Sequence, residues 1–211
     1  MRNWSFAGIQ ELIPLALDPA FETGDRWLDE RYREDFPIIG HVNPYYRWFY
    51  LIAQKYRPAF VVELGSWRAT GAAHFAAGSP LSVVLTFDIH REDKIAQQKA
   101  IEADEHYPNL HYINAWTWDA FPVVKPWGRE IDLLFIDSWH EYEYAMKDWD
   151  LYSTLLADGA MVICDDLFDA QGATKEMIRF WDVVSARCES VVVTAPHCGI
   201  PMGVFKVKGG L

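Results

Sequence analysis

Short hydrophobic runs recur along the chain at intervals that suit an alternation of strands and helices. Residues 59–64 and 83–88 are continuous runs rich in Val, Leu and Phe, with the length of strands buried on both faces. Residues 131–137 and 160–164 repeat this pattern, and residues 110–113 form a shorter run. Such runs favour parallel strands inside a sheet, because a half-exposed strand would alternate between apolar and polar residues.

The stretches between these runs carry apolar residues at helical spacing. Strands that alternate with helices form a parallel sheet covered on both faces. The predicted helices lie at residues 69–77, 93–104, 142–156 and 174–185, with an earlier one from Asn43-Pro44 to Pro58.

The end of the chain breaks this alternation. Residues 191–194 and 204–207 are predicted as two strands joined by a loop rather than a helix, so we expect them to be antiparallel. The whole pattern predicts an α/β fold with a mostly parallel seven-stranded sheet, an antiparallel last strand and helices on both faces.

Residues 1–42 are interpreted as an N-terminal extension to a single domain at residues 43–211. The extension is irregular, interrupted by prolines, and expected to hold one or two short helices. Its aromatic residues either form a lid over a substrate or pack among themselves: Trp4, Trp27, Tyr32 and Phe36. Three arginines are interpreted as a solvated charge run: Arg26, Arg31 and Arg33.

Composition excludes several classes of partner. The net charge of −11 disfavours a nucleic-acid substrate, because an acidic protein repels phosphate backbones, although acidity for solubility alone explains the same charge. The three cysteines lack CxxC spacing and are interpreted as reduced thiols of a cytoplasmic protein. We expect no signal peptide and no membrane partner, and the oligomeric state is not predicted. The aromatic fraction of 15% exceeds what such a core needs, which favours rings that bind flat ligands.

The first predicted strand ends in a glycine turn that suits a nucleoside-containing ligand. Glu63 precedes Gly65 by two residues, and the following helix points free N–H groups at the same space. The dinucleotide pattern GxGxxG and the phosphate-loop pattern GxxxxGK(S/T) are absent. Asp88 ends the next strand, where a carboxylate can accept both hydroxyls of a ribose. Taken alone, the Glu63-x-Gly65 pattern is also compatible with an ordinary tight turn.

These segments resemble a known family. VVELGSWRATG, LTFDIH and IDLLFIDSWHEYEYAMKDWDLYSTLLADGAMVICDD are similar to strand motifs of class I S-adenosylmethionine-dependent methyltransferases, over about residues 43–207. The resemblance is strongest to the small-molecule branch that includes macrolide-sugar O-methyltransferases and cephalosporin-hydroxylase-like proteins. The spacing of Asp137, His140, Tyr142 and Asp148 is typical of that branch. Trp67 stands where many methyltransferases have a second glycine.

The resemblance implies a Rossmann-like methyltransferase fold and S-adenosylmethionine as the cofactor. It implies Glu63 and Gly65 at the methionine end of the cofactor and Asp88 at the ribose. Ala115 and Trp116 are implied beside the adenine. The implied cofactor-binding set is therefore Glu63, Gly65, Ser66, Asp88, Ala115, Trp116 and Asp137.

Three aspartates follow two predicted neighbouring strands: Asp137 ends one, and Asp165 and Asp166 end the next. Parallel strands lie about 5 Å apart, so these carboxylates repel one another unless a positive charge lies between them. A hard cation such as Mg²⁺ suits oxygen ligands. The alternative is that one or two of them cap helices or bind the amino group of the cofactor. The resemblance favours the metal, since metal-dependent O-methyltransferases carry an aspartate and an acidic pair at these positions.

His140 lies three residues after Asp137, in the loop that leaves the same strand. An imidazole there can act as a general base, with Asp137 as its catalytic partner. The alternative is a histidine that only supports the loop.

These features predict an S-adenosylmethionine-dependent, divalent-metal-dependent O-methyltransferase that acts on a small hydroxylated molecule such as a sugar, polyketide or phenol. Two other classes stay open: a hydroxylase-like or other non-methylating enzyme on the same scaffold, and a cofactor-binding protein without catalysis. Nucleic-acid methylation fits poorly, because the (D/N)PP(Y/F) signature is absent.

Overall fold

The strands and helices follow the hydrophobic pattern of the sequence closely. The computed structural model describes residues 4–35, 44–90, 93–167, 175–195 and 201–208. The strands are β1 (Phe60–Leu64), β2 (Val83–Asp88), β3 (Leu110–Asn114), β4 (Ile131–Ile136), β5 (Leu156–Cys164), β6 (Glu189–Val193) and β7 (Met202–Lys206). The helices are α1 (Phe6–Gln10), α2 (Ile13–Ala16), α3 (Arg26–Asp35), α4 (Pro44–Tyr56), α5 (Thr70–Gly78), α6 (Lys94–His106), α7 (Thr117–Val124), α8 (Tyr142–Tyr152) and α9 (Lys175–Ser185). The predicted N-cap Asn43 lies outside the described residues.

The seven strands form one sheet in the order β3-β2-β1-β4-β5-β7-β6. β1 pairs in parallel with both β2 and β4, and β7 runs antiparallel to both β5 and β6. The predicted sheet, with its antiparallel last strand, is confirmed. The strand order reverses between β1 and β4, and this is where open α/β sheets bind ligands.

Alternate residues of each strand pack against opposite layers of helices. In β1, Val61 faces a layer built mainly from α4 and α5, whereas Val62 and Leu64 face a layer built from α7, α8 and α9. Phe49 of α4 anchors the first layer, with its ring 4.7 Å from the rings of both Phe75 and Phe135. Both faces of the sheet are therefore buried, as continuous apolar strands require.

The described part of the N-terminal extension packs against the first layer. Trp4 is buried, and its indole N–H donates to the carbonyl oxygen of Gly159 at 2.7 Å. Tyr32 is also buried, so these two rings pack as core, and Phe36 lies outside the described residues. None of the described helices is long and apolar enough to cross a bilayer.

Arg31 departs from the predicted solvated charge run. Its side chain is 5% exposed and donates to Glu102 at 3.2 Å and to the carbonyl oxygen of Arg68 at 3.1 Å. Arg26 and Arg33 do pair with carboxylates at the surface, as expected. The extension is thus tied through Arg31 to the turn that follows β1.

Candidate active site

A cavity of about 380 Å³ opens at the carboxyl ends of the parallel strands, within the size range of small-molecule sites. It lies beside the reversal of strand order. The turns that follow β1, β2, β3 and β4, together with α8, supply its walls. The lining residues are Gly65, Phe87, Asp88, Ile89, Ala115, Trp116, Thr117, Trp118, Asp137, Ser138, Trp139, His140, Tyr144 and Asp148.

Gly65 brings the turn after β1 against the end of β4. Its φ of +91° lies in the left-handed region, and a Cβ there would collide with the backbone of Asp137. The amide of Gly65 donates to the carbonyl oxygen of Phe87 at 2.9 Å, and the amide of Asp137 donates to that of Leu64 at 2.8 Å. Only glycine allows this approach, which places Asp137 at the same cavity edge.

Asp88 stands at the edge of the cavity, where a ribose-binding carboxylate was predicted. One of its oxygens accepts the amide of Trp67 at 2.6 Å, so the glycine turn orients the carboxylate. Trp67 stands where many methyltransferases have a second glycine. It has a φ of 44°, is 43% exposed and is not among the residues that line the cavity. The Ser66 hydroxyl beside it is buried with no hydrogen-bond partner among the described residues.

Glu63 lies below the cavity rather than in its wall. It is 2% exposed and accepts the hydroxyl of Thr86 at 2.5 Å, while Gly71 leaves room for its other oxygen beneath α5. Burial raises the pKa of Glu63 well above its ordinary value, against the lowering effect of the Thr86 hydroxyl. Glu63 supports the turn from beneath, and its contact with the methionine end of the cofactor stays a prediction.

Four aromatic rings form one wall of the cavity. Trp116 and Trp118 stack with centroids 4.8 Å apart, and Trp139 and Tyr144 lie 5.6 Å apart beside them. Trp139 is 51% exposed. Of these rings only Trp116 was predicted in the site; the aromatic surplus of the sequence indicated exposed rings without placing them.

The imidazole of His140 bridges two carboxylates. Its Nε2 lies 3.3 Å from an oxygen of Asp137, and its Nδ1 lies 2.8 Å from an oxygen of Asp166. Both ring nitrogens must donate to satisfy two carboxylates, which requires an imidazolium. Burial lowers the pKa of His140, but the hydrogen bonds and charges of the two aspartates outweigh it and raise the pKa to about 10. Burial raises the pKa of Asp137 to about 6.

The sequence matches a family over the part of the chain that builds this site. A profile for a methyltransferase domain matches residues 62–167, about half of the chain, from β1 to the acidic pair after β5. The chain belongs to this methyltransferase domain family. A relative, the uncharacterized protein R132 of Acanthamoeba polyphaga mimivirus, is 22% identical over 121 residues. The alignment spans 55% of each protein, so the chain matches about half the length of this relative.

Solved structures share the methyltransferase fold over nearly the whole chain. The O-methyltransferase TomG from Streptomyces achromogenes, involved in tomaymycin synthesis and solved with S-adenosylmethionine, superposes with a TM-score of 0.69 at 14% identity over 93% of this chain and 95% of TomG. An O-methyltransferase from Bacillus cereus, solved with S-adenosylhomocysteine, gives 0.68 at 14% identity over 94% and 97%. At these identities the likeness establishes the fold.

The arrangement of the three aspartates does not confirm the predicted magnesium site, which stays a prediction. His140 occupies the space between Asp137 and Asp166, and Asp165 accepts the amide of Asp166 at 2.9 Å. Among the residues that the structure describes, no group of three or more His, Cys, Asp or Glu side chains is placed to hold a metal ion. An imidazolium lies between two of the three aspartates, Asp137 and Asp166, and supplies positive charge there.

Replacing His140 tests this balance of charge. We expect His140→Ala to bind Mg²⁺ more tightly than the wild-type protein, because removing the imidazolium leaves Asp137 and Asp166 facing each other without a cation. Isothermal titration with MgCl₂ measures the difference, and His111→Ala, a half-exposed histidine on β3, is the control. Tighter Mg²⁺ binding by the wild type would contradict this balance, because it would show that His140 helps to hold the metal.

Gly65→Ala and Gly159→Ala form a matched pair, because both glycines have positive φ but an added Cβ would collide with another backbone only at Gly65. Gly159→Ala should cost about 1–2 kcal/mol of the free energy of unfolding from the backbone conformation alone. Gly65→Ala should cost clearly more, because the turn must also move away from β4. Denaturant unfolding of both variants gives the comparison, and equal losses would contradict the close approach.

Proposed function

We propose that the chain is an S-adenosylmethionine-dependent methyltransferase that methylates a hydroxyl oxygen of a small molecule. The observation that carries the proposal is the single cavity in which the Gly65 turn, Asp88, Asp137 and an aromatic wall meet. Membership of the methyltransferase domain family supports the transfer. TomG and the Bacillus cereus protein are O-methyltransferases, which supports an oxygen acceptor.

Different residues of the cavity suit the methionine, ribose and adenine portions of this cofactor. The Gly65 turn admits the methionine portion close to the backbone, and the unpartnered Ser66 hydroxyl offers it a hydrogen bond. Asp88, held by the Trp67 amide, accepts the ribose hydroxyls. The stacked Trp116 and its neighbouring rings take the adenine, because flat aromatic surfaces stack on a planar base.

The bound cofactor supplies an electrophilic methyl group, and the chain must position an oxygen and remove its proton. Asp137 and His140 both line the cavity and act as one unit. His140 already carries a proton on each nitrogen, so an accepted proton resides on Asp137; the imidazole can accept one only after it has first released one of its own. His140 as the general base stays a prediction within this pair. The proposal includes no metal step.

Cofactor binding tests the first part of the proposal. S-adenosylhomocysteine at a hundred times its Kd should stabilise the fold by about 2.7 kcal/mol and raise the Tm, while NAD and ATP should not. Asp88→Ala should lose most of that shift, because the ribose hydroxyls lose their acceptor. Asp119→Ala, an exposed aspartate on α7, is the control and should keep it. An unchanged shift in Asp88→Ala would remove the ribose assignment.

Turnover by His140→Ala tests the second part. With an acceptor found by screening sugars and phenols for release of S-adenosylhomocysteine, kcat should fall by about a hundredfold to ten-thousandfold, the range for a positioned base. The Kd for S-adenosylhomocysteine should barely change, since the predicted cofactor contacts lie mainly at the ends of β1 and β2. His111→Ala should keep normal turnover. A histidine that only supports the loop would instead lower the Tm and leave kcat of the folded protein within a fewfold of wild type.

A further inference from the structure

Asp148 joins the two loops that build the aromatic wall. It lies on α8, is 1% exposed and borders the cavity. One carboxylate oxygen accepts the hydroxyl of Thr117 at 2.5 Å, and the other accepts the hydroxyl of Ser138 at 2.6 Å. Thr117 follows β3 and Ser138 follows β4, so a single side chain ties together loops from two separate parts of the chain.

Each tied loop carries aromatic rings that face the other loop. Trp116 and Trp118 flank Thr117, and Trp139 follows Ser138. The rings of Trp116 and Trp139 lie 5.9 Å apart, and Tyr144, one turn before Asp148 on α8, lies 5.7 Å from Trp118. The spacing of these rings therefore depends on how the two loops are held.

The helix that carries Asp148 makes a second hydrogen bond to the loop that follows β3. The hydroxyl of Tyr152, one turn further along α8, donates to the carbonyl oxygen of Thr117 at 2.6 Å. A buried carboxylate that accepts from two neutral hydroxyls is a costly way to connect two loops, because burial disfavours its charge. Its place at the border of the cavity points to a role in ligand binding as well as in folding.

We propose that Asp148 is a positioning residue that fixes the separation of the Trp116 and Trp139 loops, and so makes the cavity fit a purine base. The inference rests on the proposed function, because it assigns the aromatic wall to the adenine of the cofactor. Asp148 acts through Thr117 and Ser138 and does not take part in methyl transfer. Its effect should therefore be confined to ligands that carry the base.

Asp148→Asn tests the inference with little change in shape. An amide keeps one acceptor oxygen and carries no charge, so both charge-assisted bonds are weakened, and on the NH₂ side the hydroxyl must turn from donor to acceptor, which loosens the link between the loops. The Kd values of S-adenosylhomocysteine and of adenosine, measured by isothermal titration, should both rise at least tenfold and by a similar factor. Asp150→Asn, the same change at an exposed position of α8, is the control and should leave both values unchanged.

Thr117 separates positioning from general stability. Thr117→Val has a similar volume but no hydroxyl and should weaken both ligands as Asp148→Asn does, whereas Thr117→Ser should restore near-normal binding. The double variant Asp148→Asn/Thr117→Val should bind no more weakly than the worse single variant, because each change releases the same link between the two loops. If Asp148→Asn does not fold, Thr117→Val and Ser138→Ala carry the same test.

The outcomes distinguish the inference from the function on which it rests. No binding of S-adenosylhomocysteine by the wild-type protein would overturn the proposed function. Normal binding by the wild type, with Kd values for Asp148→Asn and Thr117→Val within twofold of it, would overturn the role of Asp148 alone. A loss for S-adenosylhomocysteine without a loss for adenosine would also overturn it, since the effect would then lie outside the base.

Discussion

The contact on which the site depends is the approach of Gly65 to the backbone of Asp137. Backbone hydrogen bonds continue past the strand ends here, from Asp137 to Leu64 and from Asp165 to Ile136. They align the last residues of β1, β4 and β5 at one edge, so that side chains distant in sequence share a cavity. A side chain at position 65 would separate the turn from β4 and so change this edge of the cavity.

Carboxylates gathered at one edge of an acidic protein repel one another, so each needs a nearby cation or hydrogen-bond donor. The structure supplies a different donor in each place: the Thr86 hydroxyl for Glu63, the His140 ring for Asp137 and Asp166, and two hydroxyls for Asp148. Burial raises the pKa of Asp165 well above its ordinary value, with the charge of Asp137 acting in the same direction. The site therefore keeps a cation between two of its acids and satisfies the others with hydrogen bonds.

The sequence predicted the sheet because buried strands leave a strong local pattern, and it placed Gly65, Asp88 and Asp137 because strand ends converge. It missed α7, whose TWDAFPVV sequence holds Pro122 inside the helix and shows little helical spacing. The buried direction of Glu63, the bridging ring of His140 and the buried Arg31 depend on neighbours far along the chain. Spacing in the sequence predicts the edge of the sheet at which a residue lies, whereas the direction of its side chain depends on the neighbouring side chains at that edge.

The segment from Asp137 to Asp148 contributes to both halves of the cavity. Asp137 and His140 belong to the acidic half, and Trp139 and Tyr144 belong to the aromatic half. Because these residues share one loop and the start of one helix, a movement that adjusts the aromatic wall also moves the acid–imidazole pair. In the proposed reaction, binding of the base and placement of the proton acceptor would then be set together, and the bond from Ser138 to Asp148 lies between the two.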